Sequence, residues 1–400
     1  GAVYRDVRRL IAVRSTARAA PVRPGPRYLT QAPLLLGIAA LVACGLFVLP
    51  LAAVLRLALL GDEGGFDAVG EALASGPVQR ALWRSVESAG LAAIGATVAG
   101  GALGLLLGLT DVRGRHLLSI LVLMLTLIPA HVVAIAWIGL LGPSSALLGA
   151  FGVAPPPGST NPLYSRGGVI LLLSLQQVPL VFLCVRAGLR ALPRDLAEAA
   201  RVSGAGPWRL LTRVILPLMR PALVAGLALA FVAAIGNFAV PALLGIPARY
   251  VTLPVLIWQR LASSGPSVLT DVAILALVIG VVAALAAAVQ MRLVARLSVS
   301  LIGPPQAPLR LPLGRARAAV EAGLWVLLLV VVVLPLLSMV ATALLPTLGV
   351  PLSWETASAR HFGEVLLRQD VTLRALANSA GLAVAAAAGV TVLAIGLGAL

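Results

Sequence analysis

The chain has no lysine: all 30 of its basic residues are arginine. A phosphate loop of the form GxxxxGK[ST] needs lysine to place a charge on the terminal phosphates, so no such nucleotide-driven motor is encoded here. Charge of either sign is scarce, at 11%, and aromatic residues make up 4%. The three histidines, His116, His131 and His361, are scattered, and the two cysteines, Cys44 and Cys184, stand in or at the edge of apolar runs. That pattern gives no metal-ligand cluster and no disulfide framework, and it reads as two buried, inert thiols. No Ser/His/Asp or Cys/His arrangement has a persuasive setting, so no catalytic residue, metal site or cofactor is expected.

What the chain does have is apolar length. It is 60% hydrophobic with a mean hydropathy of +1.04, against about 45–50% apolar and about 25% charged residues in soluble domains. Eight runs reach the roughly 20 residues that cross a hydrocarbon core: 33–57, 85–109, 117–141, 168–185, 222–245, 268–291, 322–345 and 379–400. They are continuous rather than alternating, and each must satisfy its own backbone in lipid. The expected fold is an all-α polytopic membrane bundle.

The charge is one-sided. If the N-terminus is cytoplasmic, the inside segments 1–32, 110–116, 186–221 and 292–321 hold 21 arginines but only Asp6, Asp111, Asp195, Glu198 and Glu321, so the whole net charge of +16 lies there. The outside segments hold nine arginines and nine acids. The positive-inside rule therefore fixes a cytoplasmic N-terminus in a multi-pass membrane protein, and nucleic acid is not needed to explain the basic balance. The 1–32 segment reads as a basic N-terminal segment ahead of an uncleaved anchor, since the apolar run after it exceeds a cleavable signal core.

An internal repeat organises the rest. LFVLPLAAVLRLALL (46–60) matches VVVLPLLSMVATALL (331–345), and RALWRS (80–85) matches RALANS (374–379). Six spans separate the two starts, so the copies share one orientation, a parallel repeat. The expected layout is a first half over 33–303, a Pro/Arg-rich cytoplasmic linker over 304–321, and the start of a second half over 322–400. The second half is expected to be truncated, with six spans in the first and two in the second.

Between the fourth and fifth runs, within 191–220, lies EAARVSGAGPWRLLTRVILP (198–217). Glu198 to Val202 are helix formers, Gly204 and Gly206-Pro207 interrupt, and Trp208 to Ile215 can form a second short helix with Trp208, Leu211 and Ile215 on one side. Pro217 and Pro221 mark the return to the membrane. A loop that merely set topology would need neither the order nor the glycine. Ala199 and Ala200 permit close approach of a partner, Gly204 permits a turn or a close backbone contact, and Trp208 offers a large apolar anchor. Glu198 either caps the short helix or pairs with an arginine.

At these positions the chain resembles the permease subunits of binding-protein-dependent ABC importers, which carry EAA, three residues, Gly, nine residues, an apolar residue, one residue, Leu-Pro. Here these are Glu198, Ala199, Ala200, Gly204, Val214, Leu216 and Pro217, with Val214 where Ile is usual. The resemblance implies a loop that docks into a cytoplasmic ABC ATPase, two such subunits per complete permease, and a periplasmic solute-binding protein, all at a bacterial inner membrane. Two fused halves followed by GNFAVPALLGIPARY (236–250) look most like ferric-iron importer permeases; thiamine, aminoethylphosphonate and polyamine importers are the alternatives.

The rival classes are an ion-coupled secondary transporter and a polytopic membrane enzyme. The first usually holds ionisable residues in its spans, and here Arg56, Arg84 and Glu87 stand near span ends, where snorkelling suffices. The second calls for an interfacial polar cluster, of which the sequence gives no sign. Candidates for the passage are Asn237, Gln176, Gln177 and His131. Each has a competing reading: an interhelical hydrogen bond for the amides, and a packed neutral ring for His131. Gly100, Gly104 and Gly108 share one face and read as a site of close helix packing.

Overall fold

The computed structural model of the chain describes residues 37, 42, 44–61, 64–192, 194–263, 265, 267–297, 310–347 and 349–398. The basic segment 1–32, residues 33–36, 38–41 and 43 of the first expected span, residues 304–309 of the expected linker and residues 399–400 lie outside them. Contacts group the chain into two units, residues 54–369 and residues 1–53 with 370–400.

Apart from one isolated bridge, Thr110 to Leu311, the described residues form helices, turns and irregular segments. Helix α1 (Leu49–Leu60) leads into the larger unit. There follow α2 (Phe66–Ala74), α3 (Gly76–Leu109), α4 (Arg115–Leu127), α5 (Ala130–Leu141), α6 (Ala146–Ala150) and α7 (Arg166–Ala191). The unit continues with α8 (Arg194–Val202), α9 (Pro207–Ile235), α10 (Leu253–Leu261), α11 (Val268–Leu297), α12 (Gly314–Ala343) and α13 (Arg360–Gly363). In the smaller unit α14 (Asp370–Gly398) is a single helix. Seven helices among the described residues are long and apolar enough to cross a membrane, and each of the last seven expected spans meets one of them. The chain is a polytopic helical bundle.

Two expected spans differ in shape. The third is broken at Ile128-Pro129, because a proline drives the residue before it out of the helical region; Ile128 sits at φ −81°, ψ 121° and α5 restarts behind Pro129. The fifth ends at Ile235 rather than 245. Asn237 Oδ1 accepts the amide of Val240 (3.1 Å) and Pro241 begins a five-residue π turn, Pro241–Gly245, so the apolar run continues as a turned segment.

Elsewhere prolines are absorbed. Just before Pro217 and Pro335 the ladder widens to a π turn, with the amide of Leu216 reaching Leu211 O and that of Leu334 reaching Leu329 O. Proline has no N–H to give and its ring crowds the carbonyl four residues back; the wider turn lets the helix run on. A π turn, Cys44–Val48, also precedes Pro50.

The centre of the larger unit is the α3–α7 pair, with α9 across both. Lipid tails are as apolar as leucine, so close packing rather than water exclusion holds such helices together. α3 presents small residues for it. A Cβ on Gly100 would lie 2.5 Å from Val178 O, one on Gly104 2.8 Å from Val185 Cγ1, and one on Gly108 2.5 Å from Leu189 Cδ1. Beside this seam, Leu324, Leu328 and Val332 of α12 pack with Leu118 and Val122 of α4 and Phe182 of α7.

The chain around RALWRS and around RALANS shares an element layout. Phe66 stands to Arg360 as Gly76 stands to Asp370, the same offset in the chain. In both places a segment of equal length (Phe66–Ala74; Arg360–Arg368) is followed by one extended residue, Ser75 or Gln369, and then a long helix.

Candidate functional site

The loop after α7 is a built structure. α8 ends in a Schellman turn: Gly204 lies at φ +79°, its amide bonds Arg201 O (3.0 Å), and the amide of Ala205 bonds Ala200 O (2.9 Å). The positive φ, which L side chains rarely adopt, is what requires glycine here; a Cβ would meet no atom within 4 Å. Pro207 then opens α9 at a position where its missing N–H costs nothing.

The second element is therefore not a separate short helix but the first turns of α9. Its buried line also differs from the expected Trp208, Leu211 and Ile215. Leu210, Ile215 and Met219 are buried with Val185 and Leu189 of α7, Leu211 is half-buried, and Trp208 is 74% exposed. The reason is continuity: the inward face is the one that prolongs the contact of α9 with α3 and α7.

The matched positions divide by direction. Ala200 and Val214 are partly buried against this core, and Leu216 and Pro217 are half-buried. Glu198, Ala199, Gly204 and Trp208 are exposed, as is Val202 at 89%. Glu198 forms no ion pair among the described residues. The loop is thus fixed from behind, and Val202 and Trp208 stand uncovered in front among exposed charged residues.

Of the passage candidates, two meet. Asn237 Nδ2 donates to Gln176 Oε1 (3.0 Å), tying the break after α9 to the middle of α7. Gln177 is buried beside Pro179. His131 is exposed in the first turn of α5, not packed, and Cys44 is exposed, not buried as expected; Cys184 is half-buried. Among the described residues no three His, Cys, Asp or Glu could hold a metal ion.

The structure also brings together residues the sequence left apart. At the end of α3 and α7 opposite the loop, Arg166 Nη2 bonds Glu87 Oε1 (2.6 Å) and Tyr250 Oη lies 2.9 Å from Glu87 Oε2. Arg84 lies over the Tyr250 ring, 5.3 Å from its centroid, and donates to Arg249 O (2.9 Å), while Ser85 Oγ accepts the amide of Leu253 (2.7 Å). Burial and then the bond to Glu87 push the Tyr250 phenol up to about 12. Both oxygens of Glu87 are engaged, so this interfacial polar cluster closes on itself. The equal count of arginines and acids in the segments expected outside was the one available signal.

A second cluster sits at the loop-bearing end. Arg317 bonds Glu321 (2.8 Å) and Asp111 (3.3 Å), the amide of Leu313 donates to Asp111 (3.0 Å), and that of Arg113 to Glu321 (2.7 Å). The Leu313 amide, with Arg317 beside it, holds the Asp111 carboxyl below its usual range.

Comparison with known proteins agrees with this geometry. Half of the chain, residues 100–299, matches the family model described as "Binding-protein-dependent transport system inner membrane component", a range that contains the loop. The putative 2-aminoethylphosphonate transport system permease protein PhnU of Salmonella paratyphi A is 30% identical over 227 residues, covering 55% of this chain and 77% of that protein. The probable sulfate transport system permease protein cysT of Chlorokybus atmophyticus is 39% identical over 100 residues, 24% of this chain and 35% of that one. A bacterial ABC transporter involved in the import of the acidic polysaccharide alginate shares the fold, with a TM-score of 0.55 at 20% identity over 68% of this chain and 96% of its own. The chain belongs to the family of binding-protein-dependent transport system inner membrane components, the multi-pass permease subunits of ABC importers.

Proposed function

We propose that the loop within residues 191–220, with its motif at 198–217, is the handle by which a separate ATPase subunit moves this permease. The observation that carries the reading is the division of the loop: Ala200, Leu210 and Ile215 are anchored on α3, α7 and α9, while Trp208 and Val202 face outward with no cover. A large apolar side chain exposed on a rigid, non-spanning turn is the kind of surface a partner buries. Glu198 and Ala199 share that outer side. With the ATPase below, the loop-bearing end is cytoplasmic, and so is the N-terminus, as the arginine distribution supports.

On this reading solute arrives from a periplasmic binding protein at the opposite end, and the Asn237–Gln176 pair marks the depth at which α7 and the broken end of α9 meet along the route. The common offset of Phe66 to Arg360 and of Gly76 to Asp370 supports two fused, parallel halves, the second beginning after the linker; each half would engage one ATPase. As to the solute, the PhnU relative favours aminoethylphosphonate or a similar small anion, and ferric iron gains no support from the relatives described above.

The test is reconstitution of the complete permease with its ATPase and binding protein in liposomes. Trp208→Ala is expected to raise about 30-fold the ATPase concentration needed for solute-stimulated ATP hydrolysis and uptake, while the permease remains inserted. Uptake at the parental rate, with normal coupling to ATP, would remove the loop from the mechanism.

A further inference from the structure

Helices α3, α9 and α11 enclose an open apolar groove of about 350 Å3. Gly90 and Ile94 line it from α3, Val224 and Phe231 from α9, and Val289 and Leu293 from α11. Along α9 the lining runs for about 10 Å, at 1.5 Å per residue, within the apolar part of the bundle. Its one strongly polar side chain is Gln290.

Cations without an acidic partner gather at one mouth; toward the other end Arg166 and Arg260 are paired with Glu87 and Asp271, and Arg84 lies over the Tyr250 ring. Arg220 lies one turn before Val224 on the same face of α9, Arg296 lies three residues beyond Leu293 on α11, and Arg292 adjoins it. All three are exposed, and none forms an ion pair among the described residues. α9 has no acidic residue, and the single acid of α11, Asp271, stands in its first turn at the other end, paired with Arg260.

A long apolar trough with unopposed positive charge at one mouth is complementary to an amphiphile with a hydrocarbon chain and an anionic head. We propose that this groove binds an anionic phospholipid, with one acyl chain between α3, α9 and α11 and the phosphate held by Arg220, Arg292 and Arg296. The site then abuts the start of α9, whose first turns form the coupling loop, so an occupied groove would brace the helix through which the loop acts. Placing the lipid in the cytoplasmic leaflet rests on the orientation proposed above; the binding itself does not.

The test is native mass spectrometry of the detergent-purified chain with added palmitoyl-oleoyl phosphatidylglycerol or phosphatidylcholine. Phosphatidylglycerol is expected to be retained in excess, and Arg220→Gln with Arg296→Gln to remove that preference by about fivefold per arginine. Gly90→Leu projects into the groove where a Cβ meets no atom within 4 Å, so it is expected to lower retention of both lipids without altering thermal unfolding. Equal retention of phosphatidylglycerol by the parent, the arginine variant and Gly90→Leu would overturn the proposal. So would lipid-free dimers of the chain that Gly90→Leu dissociates, since a second copy would then fill the groove. Trp208→Ala is expected to leave lipid retention unchanged, so failure here and failure of the coupling reading are separate results.

Discussion

The two ends of the α3–α7 pair differ in what they leave uncovered: each carries a closed polar cluster, but only one also holds out a loop without an ionic partner for its glutamate among the described residues. At one end Glu87, Arg166, Arg84 and Tyr250 engage one another within hydrogen-bonding or ring-contact distance. At the other, Glu198 has no ionic partner among the described residues and Trp208 stands 74% exposed. Tyr250 and Trp208 make the point directly: both are large amphipathic rings, but the first is 7% exposed and bonded, the second open. A group satisfied within the chain answers to the stability of the chain, whereas a large apolar group held out on a rigid turn answers to something outside it. The seam of glycines between the two ends is what keeps their helices in register.

Breaking the seam is expected to do most damage. Gly100→Leu drives a side chain against the backbone oxygen of Val178, which cannot turn aside, and places the cost at or above the upper end of the about 1–3 kcal/mol typical of overpacking. Gly90→Leu, the same change on the same helix in open space, is the control. Fluorescence-detected size exclusion and thermal unfolding in detergent are expected to show loss of folded protein for the first and not the second. Equal behaviour of the two would mean that α3 does not rely on close contact with α7.

Next in size is the closed end. Tyr250→Phe removes a bond to a charged group, worth about 1.5–3 kcal/mol, and is read as a lowered unfolding temperature. The cluster also predicts a pH profile. The phenol titrates near 10 when free and near 12 here, so above pH 10 the unfolded chain binds fewer protons than the folded one. Stability owed to this group is intact below about pH 10 and falls as pH rises through about 12. With four tyrosines and no lysine in the chain, few other groups change charge in that window. Tyr250→Phe is expected to flatten the decline; an unchanged slope would take Tyr250 out of the cluster's energetics.

What the sequence revealed of these regions follows from how local each one is. The spans, the glycine seam and the loop rest on spacing within one stretch: Gly204 because a Schellman turn needs its φ, Gly100 to Gly108 because every fourth residue returns to one face. The Tyr250 cluster joins residues more than 160 positions apart, and only the charge balance of the outer segments hinted at it. The break at Pro129 and the smooth passage of Pro217 look alike as apolar sequence with a proline. They differ because a widened turn precedes one and not the other, and that depends on packing. The burial of Leu210 rather than Trp208 was hidden for a related reason: the phase of that face is set by the whole of α9, not by eight residues around the turn.

The loop gives the smaller effects on the fold, and there the comparison can be made sharpest. Gly204→Ala is expected to cost about 1 kcal/mol, the penalty for a Cβ at positive φ, and Gly204→Asn less, because asparagine tolerates that region. If uptake falls with Ala but survives with Asn, the backbone angle is what matters; if it falls with both, a partner approaches the glycine closely. Trp208→Ala is expected to change stability by no more than about 0.5 kcal/mol, as exposed substitutions do. Loss of an interface anchor worth about 2 kcal/mol nevertheless weakens docking about 30-fold, readable as the ATPase concentration needed to restore coupled uptake. Two rings at opposite ends of one helix pair would then separate cleanly, Tyr250 moving the unfolding temperature and Trp208 moving only the affinity for the motor. A Trp208→Ala variant that unfolds as early as Tyr250→Phe would erase that distinction and make the loop part of the scaffold.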